Sequence, residues 1–440
     1  MQPSAEEFFE LICKGLGRTF LIIEKYGSTP YRDALKRACI EHLVVDGLWD
    51  SDRTQYVFEL LERIGELDEY FRHIMDVLIS DSDSIDYWHA FELATLAAPK
   101  LGKVAIEEVY ALWEDDVEVP EDGYVPGGEK LIRMGGLDAF LRVFGRLAPH
   151  IAEVKDWYDP FCYLEALEET IGAGEAQDQL RKLSRRDASL NTFLKKIRAH
   201  GRQRKRRQTK RRQQKKYTYS ELRTLIENDA AQTRRHYWRG KVRRAANSTM
   251  LRLAKDNLKE TNPQRLAKLL GCFIERPFPL GADALLPLAQ NADATVADAA
   301  RGALGLFTDI RIRALAFDIA GDEDGTVDAV SLLARHYKDG DYEWLSKVEA
   351  GLRDGDNYHR FGINARDFIK MNPNRAAVPI LLELYDRGIC AICRGGIVDL
   401  LIELDAMPEW MAEECRFDSD EGTRESIAKY QEAQSGAVAK

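Results

Sequence analysis

The sequence predicts an all-α chain built as an array of paired helices. Three observations carry that expectation. Apolar residues recur at three- and four-residue spacing along most of the length, the periodicity of one helix face. The periodic runs are about 11 to 15 residues long and the breaks between them about three to seven, the rhythm of helix pairs stacked side by side. No alternating apolar–polar segment is long enough for a half-buried strand. The 440 residues are 45% hydrophobic and 31% charged, which suits a packed core and not a disordered chain.

Taken in order, Phe8, Phe9, Leu11, Ile12, Leu16, Phe20 and Ile23 form the first helical stripe, and Gly27-Ser28-Thr29-Pro30 stops it. A second helix is expected over 31–45, with Leu35, Ala38, Cys39, His42 and Leu43 on one face. After a break at 47–52 come Tyr56, Val57, Leu60, Leu61 and Ile64, then Phe71, Ile74, Met75 and Leu78. The acidic stretch 80–87 opens a helix through Phe91, Leu93, Ala94 and Leu96, and 103–113 is one more. Residues 114–128 carry acids, two prolines and three glycines and read as a surface loop. Helices resume over 131–147 and 163–171. Gly172-Ala173-Gly174 lacks the third glycine of a dinucleotide loop and follows a helix, so it reads as a helix terminator. Ser220 is the expected N-cap of a helix through Leu222, Leu225 and Ile226. An Arg-dense helical stretch follows, and the paired rhythm returns at Asn262-Pro263.

No window approaches 18 consecutive apolar residues, so no membrane-spanning helix is expected. Glu6, Glu7 and Glu10 stand where a secretory signal would carry positive charge. The seven cysteines (13, 39, 162, 272, 390, 393 and 415) are odd in number and fall mostly in helical patterns, the usage of a reduced intracellular chain. A cytoplasmic location is expected.

Charge is distributed very unevenly. Of the 19 residues from Arg198 to Lys216, 11 are Lys or Arg and none is acidic. The wider window 181–255 has 26 Lys plus Arg against 4 acids, a net of +22, whereas the remaining 365 residues have 37 against 69, a net of −32. Such a run can displace the counterions condensed on a nucleic-acid backbone. Arg202, Arg204, Lys205, Arg206, Arg207, Lys210, Arg211, Arg212, Lys215 and Lys216 are the candidate phosphate contacts, with Arg235, Arg239, Arg243 and Arg244 continuing the path. Gln203, Gln208, Gln213 and Gln214 can donate and accept hydrogen bonds. Tyr217, Tyr219, and above all Tyr237 and Trp238, are the candidates for stacking on bases. The same run also reads as a solvated loop, as a segment docked on the chain's own acidic helices, or as a nuclear import signal in a eukaryotic source.

Within the C-terminal third, Ala284-Leu285-Leu286-Pro287-Leu288 and Ala377-Val378-Pro379-Ile380-Leu381 each put a proline inside an apolar helical pattern. Asp418-Ser419-Asp420-Glu421-Gly422-Thr423-Arg424 is an acidic turn followed by an arginine, and Asn291 to Val296 and Ser80 to Ile85 echo the turn. This resembles HEAT-like repeats, α-solenoid units of an A helix bent at a proline, an acidic turn and a B helix that often opens with Arg. Ala297 departs from that pattern, standing where the arginine would be. The resemblance is clearest over about 262–430, weaker over 30–115, and absent from the basic segment. It implies a long surface used to hold another macromolecule and says little of activity. One HEAT-like branch is a DNA glycosylase, but its aromatic and acidic site residues have no clear counterpart here.

Catalytic signatures such as a P-loop, H-E-x-x-H or G-x-S-x-G are missing, and no catalytic residue or cofactor is expected. Cys390, Cys393 and Cys415 are weak candidates for metal ligands in a C-x2-C-x21-C spacing, short of the four a structural zinc site wants; His336 and His359 could join only through the fold. Packing at a tight turn and a redox role are the other readings of that pair. His42, His73 and His89 read as core or groove-edge residues, and the acidic 322–325 stretch as a turn that breaks EF-hand spacing.

The expectation is therefore an α-solenoid of HEAT-like pairs: an N-terminal arm over 1–180, a basic insertion and Arg-rich helix over 181–261, a C-terminal arm over 262–430 and a disordered tail over 431–440. The expected function is a non-enzymatic scaffold or adaptor holding RNA or DNA by the insertion and a partner protein along its helices, with no membrane partner. The competing readings are a HEAT-like DNA-processing enzyme, glycosylase or nuclease, and a purely protein–protein scaffold whose basic run docks an acidic protein.

Overall fold

A computed structural model describes residues 2–43, 53–80, 85–116, 125–150, 161–197, 217–228, 241–321, 323–353 and 355–438. Among these residues the regular structure is helical throughout, with no strand, and no helix is long and apolar enough to cross a membrane. The chain divides into two compact units. The first comprises 1–208 and 410–428, and the second 209–409 and 429–440.

In the first unit the helices are Ala5–Lys14, Arg18–Tyr26, Arg32–Ala38, Arg53–Ile64, Leu67–Ile79, Tyr87–Leu101, Lys103–Asp116, Gly128–Leu147, Phe161–Ile171, Ala173–Leu183 and 188–197. Each packs mainly on the next helix or the next but one. Phe8 stacks on Tyr31 at 4.2 Å between ring centroids, and Tyr56, Phe71, Phe91, Trp113, Phe140 and Phe193 are fully buried. Side chains of this size each contribute about 1.5–3 kcal/mol when buried. The expected single stripe through Phe8 and Ile23 is two helices. Gly15, left-handed at φ 68°, ends the first, a conformation that costs glycine little. Gly136, at φ 60°, likewise kinks Gly128–Leu147.

That break lets the segment from Trp410 to Ala428 seat on the N-terminal helices. Arg18 Nε meets Glu414 Oε2 at 2.9 Å, the Ser419 amide donates to the Gly15 carbonyl at 3.0 Å, and Phe20 stacks on Phe417 at 5.1 Å. Arg53, nearly fully buried, donates to the carbonyls of Cys13 and Lys14 at 3.1 Å each and to Ser419 Oγ. A Cβ on Gly17 would stand 1.9 Å from the Glu414 carbonyl oxygen.

The second unit contains Tyr219–Asn228, Asn247–Asn257, Pro263–Gly271, Ala294–Leu304, Ile310–Ile319, Glu323–Leu333, Asp341–Gly351, Gly355–Met371, Val378–Arg387 and Ala391–Glu403. Here too helices pack on their first and second neighbours. The two prolines behave differently from the bent A helix expected around them. Pro287 separates two short 3-10 turns, Ala282–Ala284 and Leu288–Gln290, so no α-helix runs through it; its ring and missing N–H break the ladder. Pro379 lies in the first turn of Val378–Arg387, where the absent N–H would have had no partner in any case. The acidic turns act as caps: Asp293 accepts from the amides of Thr295 and Val296, and in the first unit Asp420 accepts from Thr423. The helix expected to begin behind Ser220 is capped instead by Thr218, whose hydroxyl accepts from the Glu221 amide while Glu221 returns to the Thr218 amide at 2.9 Å.

Ion pairs between helices hold this unit. Arg313 grips Asp341 through both guanidinium ends at 2.7 and 2.8 Å, Arg301 meets Asp328 at 2.9 Å, and Arg387 pairs with Glu349.

Two substitutions test these contacts. Gly17→Ala is expected to lift 410–428 from its seat, read as faster amide hydrogen exchange in that segment; unchanged exchange would show that the close approach is not limiting. Asp341→Ala leaves Arg313 uncompensated beside a buried carboxylate position and is expected to lower stability by about 3 kcal/mol in chemical denaturation.

Candidate functional site

The proposed phosphate contacts Arg202, Arg204, Lys205, Arg206, Arg207, Lys210, Arg211, Arg212, Lys215 and Lys216 lie outside the described residues, as do Arg235, Tyr237, Trp238 and Arg239. Of the rest of that path, Arg243 is engaged: its guanidinium meets Glu275 Oε2 at 2.5 and 3.0 Å. Arg244 is exposed and makes no ion pair among the described residues. Tyr219 is also committed, with its hydroxyl on Asp256 and Arg252 over its ring at 3.8 Å. On the side preceding the basic run, Lys182, Arg185, Arg186 and Lys195 are exposed and make no ion pair among the described residues. Lys255 and Lys259 are similarly placed in the second unit.

A second constellation is more compact. Cys390 is the N-cap of Ala391–Glu403, and the Cys393 amide in the first turn of that helix donates to Cys390 Sγ at 3.5 Å. A cap residue and the third residue of the helix face the same side, so C-x2-C at this place brings both sulfurs together. His359 comes from Gly355–Met371, which packs on that helix, and its Nε2 lies 3.2 Å from Cys393 Sγ. The three ligand atoms all fall within 4.8 Å of one another, and all three side chains are half-buried. Arg366, two turns along from His359 on the same helix, lies over Gly396, where a Cβ would be 2.9 Å from Arg366 Cδ. Its positive charge acts on the Cys393 thiol.

The neighbouring Cys393 side chain, with His359 and the Cys393 amide acting in the same direction, holds the Cys390 thiol well below its ordinary value against the opposing effect of burial. Cys390 and burial together push Cys393 up, with Arg366 opposing both. The two thiols at this helix N-terminus are thus polarised in opposite directions.

Cys415 is buried in the Cys415–Phe417 turn of the first unit and is not part of this group. His336 is committed to the Phe307 carbonyl at 3.1 Å. His89 bridges Thr54 Oγ1 and the Ala38 carbonyl, and His42 pairs with Asp86 at 2.7 Å. Arg366 carried no signal in the sequence beyond its seven-residue spacing from His359, which places both on one helix face.

No protein-family model matches the chain, and no curated protein does.

In the reduced chain, a haloacetamide is expected to modify Cys390 ahead of Cys393, with a rate that falls less steeply below about pH 8 than an ordinary thiol's, because the Cys390 thiol is held below its ordinary value. An ordinary thiol, with pKa near 8.5, slows about tenfold per unit below that value. Peptide mapping by mass spectrometry reads the rates, and a Cys390 that slows like an ordinary thiol contradicts the polarised pair.

Proposed function

We propose that the chain is a non-enzymatic helical scaffold, an α-solenoid of HEAT-like pairs in its C-terminal part, that holds RNA or DNA through the basic segment 198–216. The observation that carries this reading is 11 cations in 19 residues with no acid among them. Local acids cannot neutralise such a run, and phosphates suit it. The exposed Lys182, Arg185, Arg186 and Lys195 extend the positive stretch on its N-terminal side. Elsewhere arginines such as Arg301, Arg313 and Arg387 have partners on neighbouring helices.

A partner protein is assigned to the helical surface. Ile310 and Phe317, 64% and 42% exposed, lie seven residues apart on one face of Ile310–Ile319, and Trp344 packs edge-on against Phe317 at 5.5 Å. Exposed aromatic and aliphatic side chains on one face suit a protein contact.

Replacing 204–212 with Gly/Ser is expected to abolish salt-sensitive retention of RNA or DNA while leaving helical content and Tm nearly unchanged. If six to ten cations engage phosphates, affinity of the parent falls roughly 10³- to 10⁵-fold between about 50 and 200 mM salt. Retention that survives the replacement overturns the reading. A partner that survives nuclease treatment and needs 204–212 would assign the run to an acidic protein, and base release or strand cleavage would assign an enzyme.

A further inference from the structure

We infer that Cys390, Cys393 and His359 form a binding site for a thiophilic transition-metal ion of the zinc class, with three protein ligands and a fourth position open to water or an exogenous ligand. The inference is independent of nucleic-acid binding and stands on geometry. Zinc binds thiolate sulfur at about 2.3 Å and imidazole nitrogen at about 2.0–2.1 Å, so the edges of a tetrahedral site measure roughly 3.4–3.8 Å. The three donor atoms here lie within 4.8 Å of one another, and one edge, His359 Nε2 to Cys393 Sγ, is already 3.2 Å. Small side-chain rotations bring them onto one ion without moving either helix.

The supports around the ligands suit this use. The Cys393 amide points at Cys390 Sγ, the N–H···S contact that steadies a thiolate ligand. Two thiolates and a neutral imidazole leave a zinc complex with no net charge. Arg366 beside Cys393 can then act as a hydrogen-bond donor to bound sulfur, or to an anion in the fourth position. Gly396 leaves the space Arg366 occupies; a larger residue would push the guanidinium away from the sulfurs. Half-burial gives an ion a path in and leaves room for the fourth ligand.

The test uses the full chain, reduced and stripped with a chelator, titrated with Co²⁺ and then Zn²⁺. Expected are one equivalent of tight binding, a thiolate-to-cobalt charge-transfer band with the visible bands of a tetrahedral ion, and displacement of that spectrum by Zn²⁺. Zinc should also protect Cys390 and Cys393, but not Cys13, from alkylation as mapped by mass spectrometry. This localises the site without any substitution. His359→Ala should weaken binding at least tenfold, and Cys390→Ser should abolish the charge-transfer band, whereas Cys13→Ala should leave both unchanged. Absence of the band in the parent chain, or protection that spares Cys390 and Cys393, overturns the assignment. So does rapid formation of a Cys390–Cys393 disulfide in a chain that takes up no cobalt when reduced, which would make the pair a redox centre instead.

Discussion

Every α-helix leaves its last four carbonyls without partners inside the helix, and a chain made only of helices multiplies that cost. This protein meets it with arginine. Arg53 caps the end of Ala5–Lys14 through Cys13 and Lys14, Arg335 reaches the Gly305 carbonyl behind Ala294–Leu304, and Arg387 reaches Leu352 behind Asp341–Gly351. Arg375 does the same for Leu404 and Asp405 behind Ala391–Glu403, and Arg276 for Val242 and Ala245. The negative end of a helix favours a cation, and a guanidinium can fork between a carbonyl and a second acceptor. Arg53 and Arg387 do so, adding Ser419 and Glu349 respectively. Lysine, a point charge without the planar fork, could not bridge in this way.

These caps also fix which helix lies beside which. The carbonyls that Arg335, Arg375 and Arg387 reach lie about 30 to 35 residues away in sequence, about one helix pair. A donor at such a distance sets the register of one helix against another more sharply than apolar packing, which tolerates sliding. In the first unit the same device works across a far greater distance, joining Arg53 to Ser419 and Arg18 to Glu414, 366 and 396 residues apart. Gly15 and Gly17 are its steric counterpart, since both stand where a side chain would collide with the returning segment.

That distance explains how the fold was legible and where it was not. Helical periodicity and the acidic caps are local signals, and Asp293 and Asp420 cap where the turns suggested. The break at Gly15 was hidden because the apolar stripe continues in phase on both sides of it. Pro287 and Pro379 sit in similar sequence, yet one separates two 3-10 turns and the other starts a helix, a difference that the local pattern does not carry. Ser220 and Thr218 are both good caps, and Glu221, three residues after Thr218, decides between them. Of the Cys–His group, the C-x2-C pair was visible as a motif. His359 could be named only as one of two histidines that the fold would have to bring in, and Arg366 carried no such hint, because a neighbouring helix supplies both.

The distribution of charge follows from the same helix ends. Acids gather at N-termini, as Asp86, Asp293, Asp309 and Asp420 do, and arginines at C-termini, each complementing the local dipole. Hydrogen bonds from Arg311 hold the half-buried Asp309 carboxyl down to about 2, so this arrangement stays charged well into acid. A body built on that rule needs both signs in neighbouring turns, and that is how its acids and arginines alternate. The 198–216 run breaks the rule, because no acid stands anywhere within it. Charge that helix ends would distribute in pairs is concentrated there in one sign, and this one-signed concentration is what the proposed phosphate partner would neutralise.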